Sequence, residues 1–150
     1  MSAAQLKTFT LFADLGDAER EDLAELLEER ELSARETLFG EGDEADALVL
    51  VLSGCVEIES PRSGERLSIG PGGAIGALAL FSVGLREGAA VGVAESDLRL
   101  LRREDFLRFA EDHPRAAFRI AAAVAAEVAQ HARAALSQRS VSVDPSRPAE

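Results

Sequence analysis

Between Glu31 and Leu101 the chain is cut into short apolar runs by turn residues, and no run keeps a helical period. Ala47–Leu52 (ALVLVL) is continuously apolar, the pattern of a strand buried on both faces. Val56-Glu57-Ile58-Glu59 alternates, as a half-buried strand does. Glu36–Phe39, Arg66–Ile69, Ala89–Val93 and Leu98–Leu101 are further short strand candidates. Pro61-Arg62-Ser63-Gly64 and Gly70-Pro71-Gly72-Gly73 are turn clusters between them. Many short strands at close spacing predict an antiparallel sandwich or jelly roll.

Helical signals flank this core. Asp17 is a candidate N-cap, and Leu23, Leu26 and Leu27 then repeat at helical spacing, predicting a helix over about 18–30. Arg103–Leu107 opens a short helix that ends near His113. Pro114 suits the first turn of a longer one reaching about Ser137, roughly 36 Å at 1.5 Å per residue. The fold class is therefore mainly β with flanking α. It is one domain over 1–137, with its β core at about 31–101 and C-terminal helices at about 103–137. Residues 138–150, polar and carrying two prolines, read as a disordered tail.

Ala117, Ala121, Val124 and Val128 recur at spacings of four, three and four on the long helix. Two readings stay open for this stripe: packing against the sandwich, or a seam for a second copy or a protein partner.

Composition narrows the function classes. The 150 residues carry 27 acids against 16 Lys and Arg, a net charge of −11, with no basic patch to displace counterions from DNA. Direct DNA binding is not expected. Cys55 stands alone, and His113 and His131 are far apart, so neither a disulfide framework nor a metal centre is expected. No apolar span of membrane length and no signal-like N-terminus is present, which predicts a cytoplasmic protein without membrane contact. No nucleophile sits in a pattern with a base, so the chain is not expected to be an enzyme and needs no cofactor.

Three blocks carry a resemblance. They are Phe39–Leu48 with Leu52–Ile58, then Pro71-Gly72-Gly73-Ala74-Ile75-Gly76-Ala77-Leu78-Ala79-Leu80-Phe81, then Leu85-Arg86-Glu87-Gly88-Ala89-Ala90-Val91. In this order they resemble the cyclic-nucleotide-binding domain family, specifically its catabolite-activator-like sensor domains, over roughly residues 9–136. The second block is similar to the family's phosphate-binding cassette.

The resemblance implies a nucleotide site made by Gly76, the backbone of Ala77, Leu78 and Ala79, and by Arg86, Glu87 and Gly88. Cyclic AMP or cyclic GMP would be the ligand. It also implies that Ala77 stands where the family places the glutamate that holds the ribose 2′-hydroxyl, and that acidic Glu87 stands where a small residue is usual. An ungapped alignment on Gly76 would put Glu87 in the arginine slot; the register preferred here puts Arg86 there.

Three functional readings follow: a nucleotide sensor whose C-terminal helices move, a module with weakened or lost ligand binding that acts through a protein partner or a homodimer, and a jelly-roll enzyme, which lacks its residues. Arg86 has a plain alternative, a surface ion pair with Glu87 or a neighbour. Family members that bind DNA carry a helix-turn-helix domain after the long helix, and the dozen or so residues that follow here are too few for one.

Overall fold

A computed structural model describes residues 1–60 and 63–142, with side chains through residue 137. The helices are α1 (Ala3–Leu6), α2 (Asp17–Glu25), α3 (Arg103–Asp112) and α4 (Pro114–Ser142). Short 3₁₀ turns cover Thr10–Phe12 and Ala77–Leu80. The strands are β1 (Glu28–Leu32), β2 (Thr37–Phe39), β3 (Glu44–Ala45), β4 (Ala47–Ser53), β5 (Val56–Glu59), β6 (Arg66–Ile69), β7 (Ala74–Ile75), β8 (Gly84–Leu85), β9 (Ala89–Gly92) and β10 (Ser96–Arg102). They form two four-stranded antiparallel sheets, β1-β10-β4-β7 and β2-β9-β5-β6, with a β3-β8 ribbon. This is the jelly roll expected from the strand pattern.

The apolar run of β4 explains the layering. Alternate side chains of a strand point to opposite faces. Val49 and Val51 enter the sandwich interior with Leu32, Val56, Ile75, Ala90 and Leu98. Leu48 and Leu50 face the other way, into a helical core with Leu6, Phe12, Leu23, Phe106, Phe109 and Ile120. One strand thus serves two cores, and polar alternation along it is excluded.

Several boundaries differ from the sequence reading. The helix expected over 18–30 stops at Glu25, and Glu28–Leu32 is an edge strand paired with β10, Glu28 opposite Leu100 and Leu32 opposite Ser96. Its acids form cross-strand ion pairs, Glu28 with Arg102 at 2.8 Å and Glu29 with Arg99 at 3.6 Å, which offset its poor strand propensity. The N-cap of α2 is Gly16 rather than Asp17; the Gly16 amide donates to the Glu19 carboxylate at 2.7 Å, and Asp17 instead pairs with Arg20. The half-buried Cys55 lies in the turn between β4 and β5. The long helix runs to Ser142, beyond the expected end at Ser137. Residues 143–150 of the expected tail and residues 61–62 of the expected turn lie outside the described residues.

The stripe on α4 divides between the two readings. Ala116, Ile120 and Val124 are buried at i, i+4 and i+8, and Val124 is only 4% exposed. Ala117 and Ala121 are half-buried, while Val128 is 44% exposed. Val124 therefore belongs to this chain's own core, and over residues 125–137 the side chains of α4 are exposed apart from half-buried Ala129. Val124→Glu is expected to cost about 3–5 kcal/mol of stability, as an unpaired charge forced into the core. Val128→Glu is expected to change it by less than about 0.5 kcal/mol. Urea unfolding of the two variants checks both values.

Candidate functional site

The turn at Ala77–Leu80 is set by Gly76, whose φ of +75° lies in the left-handed region. A side chain there would also collide, since an added Cβ would sit 2.2 Å from the Arg86 guanidinium. The Ala79 amide closes back on the Gly76 carbonyl at 3.0 Å. Of the three backbone amides assigned to a ligand, that one is already spent within the turn.

The β8 strand returns along β3, and the Arg86 amide donates to the Asp43 carbonyl at 2.7 Å. This aims the Arg86 side chain inward. It is 9% exposed; its Nη2 donates to the Ala47 carbonyl at 2.7 Å, and its guanidinium carbon lies 4.3 Å from the Phe39 ring centroid. Its Nε is buried with no hydrogen-bond partner. The ion pairs among the described residues do not include it, so the surface pairing with Glu87 does not form. Burial pushes the Arg86 pKa below the ordinary arginine range, with the charge of Asp46 opposing the shift.

Arg86 borders a cavity of about 450 Å³, within the range of small-molecule sites. Gly76, Leu78, Ala79, Glu87 and Gly88 line it too, so most of the residues assigned from sequence converge on one place. Ala77 is the exception: it is half-buried and packs against the helical core. Glu87 is exposed at the rim. Gly88 is required by a close approach, because a Cβ there would lie 2.1 Å from the Glu59 carbonyl oxygen. Phe39, Ile58 and Ile75 form apolar walls that the sequence reading did not assign to the site. Their strands pointed only to a sandwich interior; that the interior opens here depends on the turn.

A second arginine ties this turn to the helices. Arg103, the first residue of α3, donates from Nε to the Ala79 carbonyl at 2.9 Å and from Nη2 to the Ala45 carbonyl at 2.8 Å. Phe81, just past the turn, meets Phe106 of α3 edge-on at 5.1 Å between centroids. The floor of the cavity and the start of the C-terminal helices are thus joined by direct contacts. Among the described residues no group of His, Cys, Asp and Glu is placed to hold a metal ion, and no helix is long and apolar enough to cross a membrane.

A family model described as the cyclic nucleotide-binding domain matches residues 29–113, more than half of the chain. The cyclic AMP receptor protein of Thermus thermophilus is 37% identical over 92 residues, which are 59% of this chain and 43% of that protein. Lysophospholipase nte1 of Neurospora crassa is 30% identical over 106 residues, 68% of this chain but 7% of that protein. The chain therefore spans less than half the length of either relative. The N-terminal domain of a transcriptional regulator from Streptomyces coelicolor superposes with a TM-score of 0.75 at 30% identity, covering 85% of this chain and 94% of that one. With the jelly roll, the glycine-initiated turn and the inward arginine in the same chain, the matched segment has one assignment: this chain belongs to the cyclic nucleotide-binding domain family.

Proposed function

We propose that the chain is a non-enzymatic regulatory module whose cavity takes a small anionic ligand and whose C-terminal helices pass its occupancy to a protein partner or a second copy. The observation that carries this reading is Arg86. A guanidinium that is 9% exposed, with an unpartnered Nε and a carbonyl and an aromatic ring for neighbours, is poorly compensated for loss of water. An anion in the adjoining cavity would supply the countercharge that Arg86 lacks, and the planar fork of arginine suits two oxygens. Cyclic AMP and cyclic GMP are the ligands that family membership suggests. With Ala77 in place of the acid, their affinity should fall roughly 10- to 100-fold below that of a complete site, the worth of one hydrogen bond to a charged group.

Transmission would run through Arg103 and the Phe81–Phe106 contact, because any shift of the 77–80 turn moves the carbonyl that Arg103 holds. A second reading, a surface for a partner that acts without ligand, is favoured by one observation. Phe118 stays exposed on α4 opposite the buried Ala116 and Ile120, and Val128, one turn past the buried Val124, is exposed too. If that surface joins two copies, Val128→Glu should lower the sedimenting mass to one chain; an unchanged mass removes the seam.

Thermal melting tests the ligand. A ligand at about ten times its Kd adds about 1.4 kcal/mol, a rise of roughly 3–6 °C for a chain of this size. Cyclic AMP or cyclic GMP at millimolar concentration should produce such a rise in wild type, and Arg86→Ala should abolish it while keeping a cooperative transition. A rise that survives Arg86→Ala places the ligand elsewhere. Arg103→Ala is expected to lose about 1.5–3 kcal/mol of stability, the worth of a charged hydrogen bond. It should also remove any ligand-induced change in amide exchange along α3 and α4, and retention of that change would show that the signal takes another route.

A further inference from the structure

The composition of the cavity walls says more about the ligand than the family does. Phe39, Ile58 and Ile75 form the inner walls, and Leu78 and Leu85 stand at the mouth, 54% and 66% exposed. The polar side chains around the cavity are Arg86, Ser82 and Glu87. Arg86 is the only one of the three that is buried, and its Nε lacks a partner. Ser82 is exposed, and its hydroxyl already donates to the Leu78 carbonyl at 3.3 Å. The inner walls therefore offer one cation and no side-chain acceptor for a hydroxyl.

A sugar sealed against Phe39, Ile58 and Ile75 would lose water from its hydroxyls without a side chain to replace it, an unfavourable exchange. An aliphatic or aromatic body would instead gain contact with those walls and would cover Leu78 and Leu85, which a soluble protein otherwise leaves wet. The charge count adds a second restriction. Glu87 sits exposed at the rim with no ion pair or hydrogen bond among the described residues. Next to a single buried guanidinium it accommodates one negative charge and repels a second.

Taking the cavity as the ligand site proposed above, we infer that its preferred ligand is an organic monoanion with an apolar body, a carboxylate on an aliphatic or aromatic frame, rather than a cyclic nucleotide. The carboxylate pairs with the guanidinium of Arg86, which has no carboxylate partner of its own among the described residues. The body lies between Phe39, Ile58 and Ile75 and emerges past Leu78 and Leu85.

Calorimetric titration with octanoate, phenylacetate, cyclic AMP and cyclic GMP tests it. At least one of the two acids should bind about tenfold or more tightly than either nucleotide, and Arg86→Ala should abolish that binding. Leu78→Asn, an exposed substitution at the mouth that leaves the core intact, should weaken the acid about fivefold, as expected for losing part of one apolar contact. This variant keeps the test valid if Arg86→Ala does not fold. If either nucleotide binds as tightly as both acids or more tightly, the inference falls while the cavity survives as a ligand site. Acid binding unchanged by both substitutions places the acid outside the cavity and overturns the inference. If all four probes fail to bind the folded protein, the inference and the cavity reading fall together.

Discussion

Burial of β4 on both faces is the constraint on which the rest of the molecule depends. Val49 and Val51 hold the sandwich together, and Leu48 and Leu50 hold the helices to it. The same strand and the residues leading into it also hold the functional site. The Ala47 carbonyl receives Arg86, and the Ala45 carbonyl receives Arg103. The two arginines that matter most are thus anchored on main-chain oxygens two residues apart, at the start of the most buried strand in the fold. Such anchors do not depend on side-chain rotamers, so the cavity floor is positioned by the backbone of the core.

This arrangement leaves Arg86 in an unusual energetic state. Many buried arginines are compensated by a carboxylate, and the two other strongly buried ones here have one: Arg20 pairs with Asp17, and Arg99 with Asp97; the Nε of all three is buried without a hydrogen-bond partner, so what sets Arg86 apart is the missing carboxylate. Arg86 has a carbonyl and the face of Phe39 instead. A fold selected for stability alone would do better with an apolar residue of similar size. In the function proposed above, the partner of this cation arrives from solution.

The β core could be read from the sequence because its signals are local. The unbroken run at 47–52, the alternation at 56–59 and the glycine turns all follow from strand geometry, and the strands formed there. Glu28–Leu32 could not be read, because Glu-Glu-Arg-Glu carries helical propensity and becomes a strand only through pairing with β10 and ion pairs to Arg99 and Arg102. On α4, the spacing of Ala117, Ala121, Val124 and Val128 identified a stripe but not the residue at which the body of the protein ends; Val124 is inside it and Val128 outside. At the site, the cassette pattern brought Gly76, Arg86 and Gly88 together. It could not reveal that Ile75 forms an apolar wall together with Phe39 and Ile58, which come from strands distant in the chain. Nor could it show that Ala77 packs against the helical core.

In the proposed function Arg86 is an anion receptor with no carboxylate partner among the described residues. The most direct measurement is the nitrogen-15 correlation signal of the Arg86 Nε–H, assigned by its loss in Arg86→Lys and followed while octanoate or cyclic AMP is added. The signal is expected to move saturably with one of the two anions, at concentrations where the Arg20 and Arg99 signals stay fixed. If the Arg86 signal stays fixed while either anion demonstrably binds the protein, Arg86 is a structural residue and the account of the cavity is wrong.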